Sequence, residues 1–487
     1  MRSLDEAINA GQSGADGGRW VIRGGRLLSA DAEPVVVDLV IDGERVAAVE
    51  PAGTADAGPV FDAAGLDIAP GAIDLHVHLR DPGQTHKETV ETGTAAAAAG
   101  GTTLVCDMPS TQPQVTTVDR YVAKRDAWTG RAAVDYALWA GGTDPDQLRG
   151  MAAAGAVGVK IYMATSPGFD QLYSPDDTAV RRVLRVSAEL GWAVSVHAGD
   201  QAASDAHRAE LIRAGRRTPA DVLAVTRGPG NLAGLRSVLT AATDLRQPVH
   251  LAHLSAYGTA ALDEFVRARA EFPRLTAESC FPALSEEEDL PRLGVYALPT
   301  VFSAAARDRF VDAIADGTID AIATDHAPHT RDEKDPGRHD AWAAPPGYPA
   351  LETSLPLAYD ALLAGRLDPR RFVDALAGAP ARILGLARKG RIAPGCDADL
   401  VLLDPAGSWR VDESTMHSLV GWSPLHGREL RGRLVATYLR GRSIARGGDI
   451  MYPGGGQFVR RSTGRAVAAG GPGSTEKVPG AAERRSS

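Results

Sequence analysis

Two histidines one residue apart close an apolar run near the start of the chain, in AIDLHVHLRDPG, residues 72–83. If this run is a β-strand, residues two apart lie on one face, so His76, His78 and Arg80 point in the same direction. Imidazole is the commonest metal ligand among side chains, whereas a guanidinium stays protonated and cannot bind a metal. The spacing therefore predicts a metal site with a cation beside it.

More groups of this kind lie late in four later apolar runs. They are Lys160 in VGVKIYM, His197 in AVSVHA, His253 in VHLAHLS and Asp325 in DAIATDH. A lone histidine in a strand is more often a buried structural residue than a ligand. Because these groups recur at the same end of their runs, we predict one metal site built from all of them and the HVH pair. His250 lies three residues before His253, so a strand points it to the opposite face, and we interpret it as structural.

Lys160 is the unexpected member, because an ammonium group is repelled by divalent cations. Burial near metal ions lowers the pKa of a lysine, and the neutral amine can then add carbon dioxide. The product is a carbamate, which can bridge two ions as a carboxylate does. The alternative is an ion pair with Asp135 or Glu278, since buried lysines are seldom unpaired.

Arg80 requires a different explanation from its neighbours. A cation on the metal-facing side is useful if an anion arrives there, and a planar carboxylate suits the guanidinium fork. We therefore predict a carboxylated small molecule as substrate. The alternative is a structural ion pair with Asp81 or Glu88, which many arginines near loops make.

Eight strand-like runs, separated mostly by helical ones, carry these residues. The strand candidates are AIDLHVHL, TTLVCDM, AVDYALWA, VGVKIYM, AVSVHA, VHLAHLS, LTAESC and DAIATDH. Apolar residues at helical spacing mark KETVETGTAAAAAGG, DDTAVRRVLRVSAELG and ALDEFVRARAEF. Such alternation over about 300 residues predicts a (β/α)₈ barrel of the TIM type, whose active sites lie at the carboxyl ends of the strands.

Short strand-like pieces flank the barrel segment at both ends, as in VVVDLVIDGERVAAVE and ELRGRLVATYLRGRSIARGG. We predict that residues 19–70 and 391–446 pair into one small β-sandwich domain beside a barrel at residues 71–390. The Gly-rich residues 1–18 are expected to be a disordered tail. The Gly/Ser/Pro-rich residues 447–487 are expected to be a flexible one.

The composition limits the partners of the protein. Its 487 residues are 44% hydrophobic, enough for a large core, and carry a net charge of −9 without a basic block. This charge argues against nucleic acid as a partner. The three scattered cysteines, the lack of a signal-peptide core and the lack of an apolar run of about 20 residues predict a cytoplasmic protein without a membrane segment.

The motifs together resemble the cyclic amidohydrolases, which include dihydroorotase, allantoinase and hydantoinase. They are HVHLRDPGQTHKE, GVKIYM, VHA, AHLS and ATDHAPHT, followed by GYPALETSLPL and KGRIAPGCDADLVLLD. The resemblance implies a barrel with a composite β domain, a homo-oligomer and two divalent ions, usually zinc. The implied ligands form two groups bridged by N6-carboxylated Lys160: His76, His78 and Asp325 on one ion, and His197 and His253 on the other.

The implied reaction is hydrolysis of a cyclic amide or ureide C–N bond. Two ions about 3.5–4 Å apart hold a hydroxide at neutral pH and polarise the carbonyl that it attacks. Asp325 takes the proton of this hydroxide and passes it to the departing ring nitrogen. Retention of all six ligands argues against a scaffold that has lost catalysis.

Within this family, Arg80 and His329, the second histidine of DHAPH, resemble dihydroorotase, whose substrate carries a carboxylate. We predict a dihydroorotase-like enzyme, acting reversibly, in which Arg80, Ser110 and His329 bind the substrate. Three motifs depart from that pattern. MPST replaces MPNT, so that Ser110 stands where an asparagine contacts the carboxylate; ALPTVFSAAARDR replaces NPPLR; and ESCFPAL replaces PHHL. The alternatives are therefore allantoinase, hydantoinase, or an enzyme of specialised metabolism that opens or closes an unusual lactam or imide.

Overall fold

Strands and helices alternate through the middle of the chain, and strands predominate at both ends. The computed structural model describes residues 18–164, 169–174, 176–280, 289–299 and 302–462. The tail predicted for residues 1–18 lies outside these residues except for Gly18, and so does the predicted tail beyond Ser462.

Strands are numbered here in chain order. They are β1 Arg19–Leu27, β2 Val35–Asp42, β3 Arg45–Pro51, β4 Val60–Asp62, β5 Asp67–Pro70, β6 Ala72–Val77, β7 Thr102–Asp107, β8 Asp135–Leu138, β9 Ala140–Gly141, β10 Gly158–Tyr162, β11 Ala193–His197, β12 His250–Leu251, β13 Thr276–Ser279, β14 Ala321–Ile322, β15 Leu400–Arg410, β16 Glu429–Leu439, β17 Arg442–Arg446 and β18 Asp449–Ile450.

The α-helices are numbered in the same way. They are α1 Val90–Ala99, α2 Val118–Ala127, α3 Pro145–Ala154, α4 Asp177–Leu190, α5 Gln201–Arg213, α6 Pro219–Thr226, α7 Pro229–Leu245, α8 Thr259–Glu271, α9 Leu290–Leu293, α10 Ala304–Ala315, α11 Arg331–Lys334, α12 Ser354–Leu363, α13 Pro369–Val373 and α14 Ala379–Leu384. Local signals set their ends: Asp176 caps the start of α4 by accepting a hydrogen bond from the Ala179 amide, and Gly191 ends it in the left-handed conformation.

The barrel consists of two runs of parallel strands, β6-β7-β8 and β9-β10-β11-β12-β13-β14. The His78 amide donates to the His326 carbonyl at 2.7 Å, which joins the end of β6 to the segment after β14. Each of the eight predicted barrel strands is present, and the predicted fold class is confirmed. The carboxyl ends of the strands therefore meet at one rim.

The third predicted strand, AVDYALWA, is divided at Trp139. Its first part, β8, pairs with β7, whereas its second part, β9, pairs with β10. The indole nitrogen of Trp139 donates to the Leu75 carbonyl at 2.9 Å, so this ring is fixed inside the barrel wall. The strand thus changes its partner where the two runs meet.

The second unit is a sheet built from both ends of the chain, in the order β18-β17-β16-β15-β5-β1-β2-β3, with β4 on β1. The two ends join where β15 pairs antiparallel with β5, from Leu400 opposite Pro70 to Leu403 opposite Asp67. Trp20, Phe61 and Tyr438 are buried in its core. An ionic cluster ties this unit to the barrel: Lys389 Nζ lies 2.8 Å from Asp135 and 2.6 Å from Asp399.

Residues 449–462, called here the C-terminal strap, belong to the segment that the sequence predicts to be a flexible tail, and part of them pairs with β8. The Tyr136 amide donates to the Gln457 carbonyl at 3.0 Å, and the Val459 amide donates to the Tyr136 carbonyl at 2.8 Å. The strap thus occupies hydrogen-bonding positions along β8 that would otherwise be unpaired. The Gly-rich sequence around the strap gives no sign of this pairing. No described helix is both long and apolar enough to cross a membrane.

Candidate active site

The predicted ligands lie at or just after the carboxyl ends of the barrel strands. His76 is in β6, His197 ends β11, and Lys160 is in β10. His253 and Asp325 follow very short strands, and their φ angles of 37° and 48° lie in the left-handed region. Such conformations cost about 1–3 kcal/mol each and persist where the surroundings fix them, commonly at functional sites. The turns, rather than strand alternation, therefore aim these two side chains.

Five predicted ligands form one continuous cluster. Asp325 Oδ1 lies 3.3 Å from His76 Nε2 and 3.3 Å from His78 Nε2. His197 Nδ1 lies 2.9 Å from His253 Nε2, and the rings of His253 and His76 are 5.4 Å apart. Ligand atoms of His76, His253 and Asp325 all lie within 4.8 Å of one another.

The donor set fits divalent metal ions. Burial lowers the pKa of His78 to about 3 and that of His253 to about 4, so these rings are neutral and offer lone pairs. His253 Nδ1 is buried without a hydrogen-bond partner among the described residues. Two neutral imidazole nitrogens facing each other at 2.9 Å share at most one proton, which leaves a lone pair available. Neutral imidazoles with a carboxylate are the ligands that zinc prefers.

Asp325 is the ionised member of the cluster. Burial alone would raise the pKa of its carboxyl, but the neighbouring His76, His78 and His253 lower it well below its usual range. A carboxylate that is ionised in this position can bind a cation and can accept a proton.

Lys160 is completely buried at the base of the cluster, and its Nζ lies 3.3 Å from Ser195 Oγ. Burial lowers the pKa of Lys160 to about 8, against the opposing charges of Glu278 and Asp325. Within the part of the chain that is described, no carboxylate lies within ion-pair distance of Nζ. The alternative ion pairs predicted for Lys160 are therefore not formed, because Asp135 binds Lys389 and Glu278 binds His76.

Glu278 is a residue that the sequence suggested only as a partner of Lys160. Its Oε1 lies 2.5 Å from His76 Nδ1 and accepts a hydrogen bond from the His253 amide at 3.2 Å. Its Oε2 lies 2.9 Å from His250 Nε2, so His250 is not a member of the ligand cluster. A proton on His76 Nδ1, donated to Glu278, would leave the Nε2 lone pair for a metal ion. The only signal in the sequence is a carboxylate inside a buried strand.

Arg80 and His329 form a second pocket beside the cluster. Arg80 has a φ of 62°, is buried, and places Nη2 3.2 Å from His329 Nε2. Its Nε has no hydrogen-bond partner among the described residues. The predicted alternative partners are engaged elsewhere: Asp81 pairs with Arg131 at 2.6 Å, and Glu88 accepts from Ser418 Oγ at 2.5 Å.

The pocket is cationic. Lys87 Nζ lies 3.3 Å from His329 Nδ1 and 2.9 Å from Glu333. Burial lowers the pKa of His329 to about 3, and the nearby Arg80 and Lys87 act in the same direction. His329 is therefore neutral, and two cations face one carboxylate here. Such a pocket favours an anionic ligand.

Ser110 lies between the two parts of the site. Its Oγ is 2.6 Å from His78 Nδ1, on the other side of the ring from Asp325. The hydroxyl predicted to contact substrate is thus engaged with a ligand histidine. The sequence could not show this, because the contact spans 32 residues.

A loop after β15 forms a further wall of the site. The indole nitrogen of Trp422 donates to the His329 carbonyl at 2.8 Å. The Leu419 amide donates to Glu88 Oε1 at 3.0 Å, beside the Ser418 contact. The β domain therefore contributes to the position of His329, which the motifs did not indicate.

Comparison with known proteins gives a consistent result. The sequence profile of the Amidohydrolase family matches residues 68–442. A dihydroorotase from Halobacterium salinarum is 36% identical over 441 residues, which cover 88% of this chain and 98% of that one. An allantoinase from Rubrobacter xylanophilus is 33% identical and covers 90% of this chain and 97% of its own length.

A solved structure shows the same architecture. The L-hydantoinase (dihydropyrimidinase) from Arthrobacter aurescens superposes with a TM-score of 0.86 at 30% identity, over 91% of this chain and 99% of that one. The three relatives carry three different names, so similarity over the whole chain does not distinguish among their activities.

Proposed function

The chain belongs to the Amidohydrolase family, and we propose that it hydrolyses the C–N bond of a cyclic amide or ureide that carries a carboxylate, as a dihydroorotase-like enzyme. The reaction is reversible in this proposal: water opens a cyclic ureide to a carboxylate and a ureido group, and these can condense again with loss of water. Of the relatives described above, one at 36% identity is a dihydroorotase.

The observation that carries this proposal is the buried guanidinium of Arg80 beside the ligand cluster. A buried charge requires a counter-charge, and Arg80 makes no ion pair with any carboxylate in the described part of the chain. Its Nε has no hydrogen-bond partner there either. A substrate carboxylate would supply both the charge and the acceptor.

We propose that the cluster holds two divalent ions, with Zn²⁺ as the metal. His76, His78 and Asp325 would hold one ion, and His197 and His253 the other. Divalent ions bound there would lower the pKa of a water molecule and polarise the substrate carbonyl. Asp325 would accept the proton that this water loses and return it to the departing ring nitrogen, and His329 and Arg80 would hold the substrate in register.

We propose further that Lys160 is carboxylated at Nζ. The neutral amine attacks the carbon of carbon dioxide, an N–C bond forms, and one proton leaves, so that a carbamate with a negative charge results. The buried Lys160, with its pKa lowered to about 8, has a far larger neutral fraction at pH 7 than an ordinary lysine. The carbamate oxygens would complete the ligands of both ions.

The test uses zinc-loaded enzyme with dihydroorotate, allantoin, hydantoin and simple cyclic imides. We expect hydrolysis of dihydroorotate, and we expect Arg80→Ala to lower kcat/KM for it by roughly 100-fold or more, because a buried charge pair is lost. Neutral substrates should change by less than about threefold.

Arg131→Ala is the control, since Arg131 pairs with Asp81 and Glu91 outside the pocket. Equal losses on carboxylated and neutral rings would remove Arg80 from substrate recognition. Efficient turnover of allantoin or hydantoin alone would favour the allantoinase or hydantoinase alternative.

A further inference from the structure

Tyr162 is a residue of the site to which neither the motifs nor the proposed reaction gives a role. It ends β10, two residues after Lys160, and therefore shares the face of Lys160. Its ring stacks near His197, with the centroids 6.0 Å apart and the planes at 30°. Lys160 Nζ lies 5.3 Å from the centre of the same ring. The phenol ring thus lies beside both Lys160 and His197.

A second observation concerns the hydroxyl of Tyr162. The oxygen is buried and makes no hydrogen bond of acceptable geometry within the described residues. Burial raises the pKa of this phenol, and a side-chain interaction with Ser110 opposes the rise. Buried hydroxyls rarely lack a partner, so this one requires an explanation.

Arg80 shares this feature with Tyr162. Its Nε–H is also buried without a hydrogen-bond partner in the described part of the chain, although Nη2 faces His329. Tyr162 ends β10 and Arg80 follows the end of β6, two residues after His78, so both lie at the rim of the barrel that carries the ligand cluster. Ser110 Oγ lies 2.6 Å from His78 Nδ1, so one of its hydrogen-bonding positions is already used. Two buried donors without partners in the described part of the chain therefore belong to residues at the same rim of the barrel.

We propose that the Tyr162 hydroxyl and Arg80 together bind the substrate carboxylate, so that Tyr162 determines specificity for a carboxylated ring. This inference rests on the proposed function and deepens it. Tyr162 takes the role that the sequence assigned to Ser110, whereas Ser110 positions His78. The carboxylate accepts one hydrogen bond from the phenol and one from the guanidinium, and both donors are then satisfied.

The experiment compares Tyr162→Phe with wild type on two rings that differ only in the carboxylate, dihydroorotate and dihydrouracil. We expect KM for dihydroorotate to rise roughly tenfold to 100-fold, the effect of one lost hydrogen bond to a charged group, with a smaller change in kcat. Dihydrouracil parameters should change by less than about twofold. In the Arg80→Ala background the same substitution should have a much smaller effect, because both donors bind one carboxylate.

The matched control is Tyr121→Phe, which removes a buried hydroxyl that donates to the Leu138 carbonyl in the barrel wall. Melting temperature and zinc content of Tyr162→Phe should equal those of wild type. An equal effect on both rings, or none on either, overturns the assignment of Tyr162.

Calorimetric binding of dihydroorotate to the metal-free protein separates the two proposals. If wild type binds and hydrolyses dihydroorotate while Tyr162→Phe is unchanged, only the role of Tyr162 fails. If wild type neither binds nor hydrolyses it, the proposed function fails and this inference fails with it.

Discussion

Glu278 holds two ligand residues at once, since it contacts the His76 ring and the His253 backbone amide. Glutamine has nearly the same volume as glutamate. Its NH₂ group, however, must face the ring nitrogen of either His76 or His250 in place of an acceptor oxygen. We expect Glu278→Gln to weaken zinc binding roughly 10-fold to 100-fold, as is typical when the partner of a ligand histidine is changed. Competition with a chelator of known affinity measures this directly.

Glu91→Gln is the control for that substitution, because Glu91 is half-exposed and pairs with Arg131 away from the cluster. Unchanged zinc affinity in Glu278→Gln would show that this carboxylate does not orient the ligands.

Lys160 predicts a specific pH dependence of metal loading. Only the neutral amine adds carbon dioxide, and burial lowers its pKa to about 8. At a fixed concentration of dissolved carbon dioxide, activation of chelator-stripped enzyme by zinc should therefore accelerate about tenfold per pH unit below pH 8 and level off above it. Continued acceleration up to pH 10 would indicate an ordinary lysine pKa and contradict the assignment.

For single residues, the sequence indicated the types of the candidate ligands better than it indicated which residues they contact. The histidines, Lys160 and Asp325 could be found because similar groups recur late in successive apolar runs. The contact of His76 with Glu278 joins residues 202 apart, and it depends on how β13 lies relative to β6. No local pattern contains that information.

The short strands and turns around the site position its residues in a way that short motifs do not show. Strands β12 and β14 are two residues long, so His253 and Asp325 are placed by left-handed turns rather than by strand alternation. The eight strands themselves could be predicted, because each is an apolar run bounded by turn residues. The exact ends could not, because they depend on which backbone groups find partners.

The C-terminal strap makes a prediction for stability. The Phe458 ring lies 5.6 Å from that of Tyr136, at the start of β8. We expect Phe458→Ala to lower the free energy of unfolding by about 2 kcal/mol, less than for a fully buried phenylalanine. Because the contact is far from the strand ends that carry the ligands, kcat/KM should not change. Thermal unfolding and steady-state kinetics check the two parts.

Tyr452→Ala is the matched control on the same strap, since Tyr452 is 40% exposed. It should cost under about 1 kcal/mol. An equal loss of stability in the two variants would mean that the Phe458 contact contributes nothing specific.

The molecule as a whole unites two units whose parts are distant in the sequence. The composite sheet could be predicted from strand patterns at both ends, and the family resemblance supplied its pairing. The Lys389 cluster and the wall formed by Trp422 could not be predicted, because they exist only when the sheet is docked on the barrel. The site is thus completed by residues from both units.

Stability of the metal-free protein should fall as pH decreases. Burial lowers the pKa of His78 and His329 to about 3 and that of His253 to about 4. Below the ordinary histidine value of about 6.5, the unfolded chain binds protons that the folded protein excludes, so folding loses up to about 1.4 kcal/mol per pH unit for each group. His417 has the opposite effect on stability, because its hydrogen bond with Glu352 raises its pKa. It is one group against the three above.

The midpoint of urea unfolding should therefore decrease from pH 7 to pH 5 in the metal-free protein. Bound zinc should raise the midpoint at pH 7, because ions that bind only the folded state stabilise it. A midpoint that stays constant or rises on acidification would contradict the placement of these neutral histidines.

The central claim is that the rim of the barrel gathers two ions joined by a modified lysine. Anomalous diffraction on both sides of the zinc absorption edge, from crystals grown with zinc and bicarbonate, tests it most directly. The account predicts two zinc peaks, one beside His76, His78 and Asp325 and one beside His197 and His253, with density for three further atoms on Lys160 Nζ. A bare Lys160 amine and no peak at this rim would contradict it.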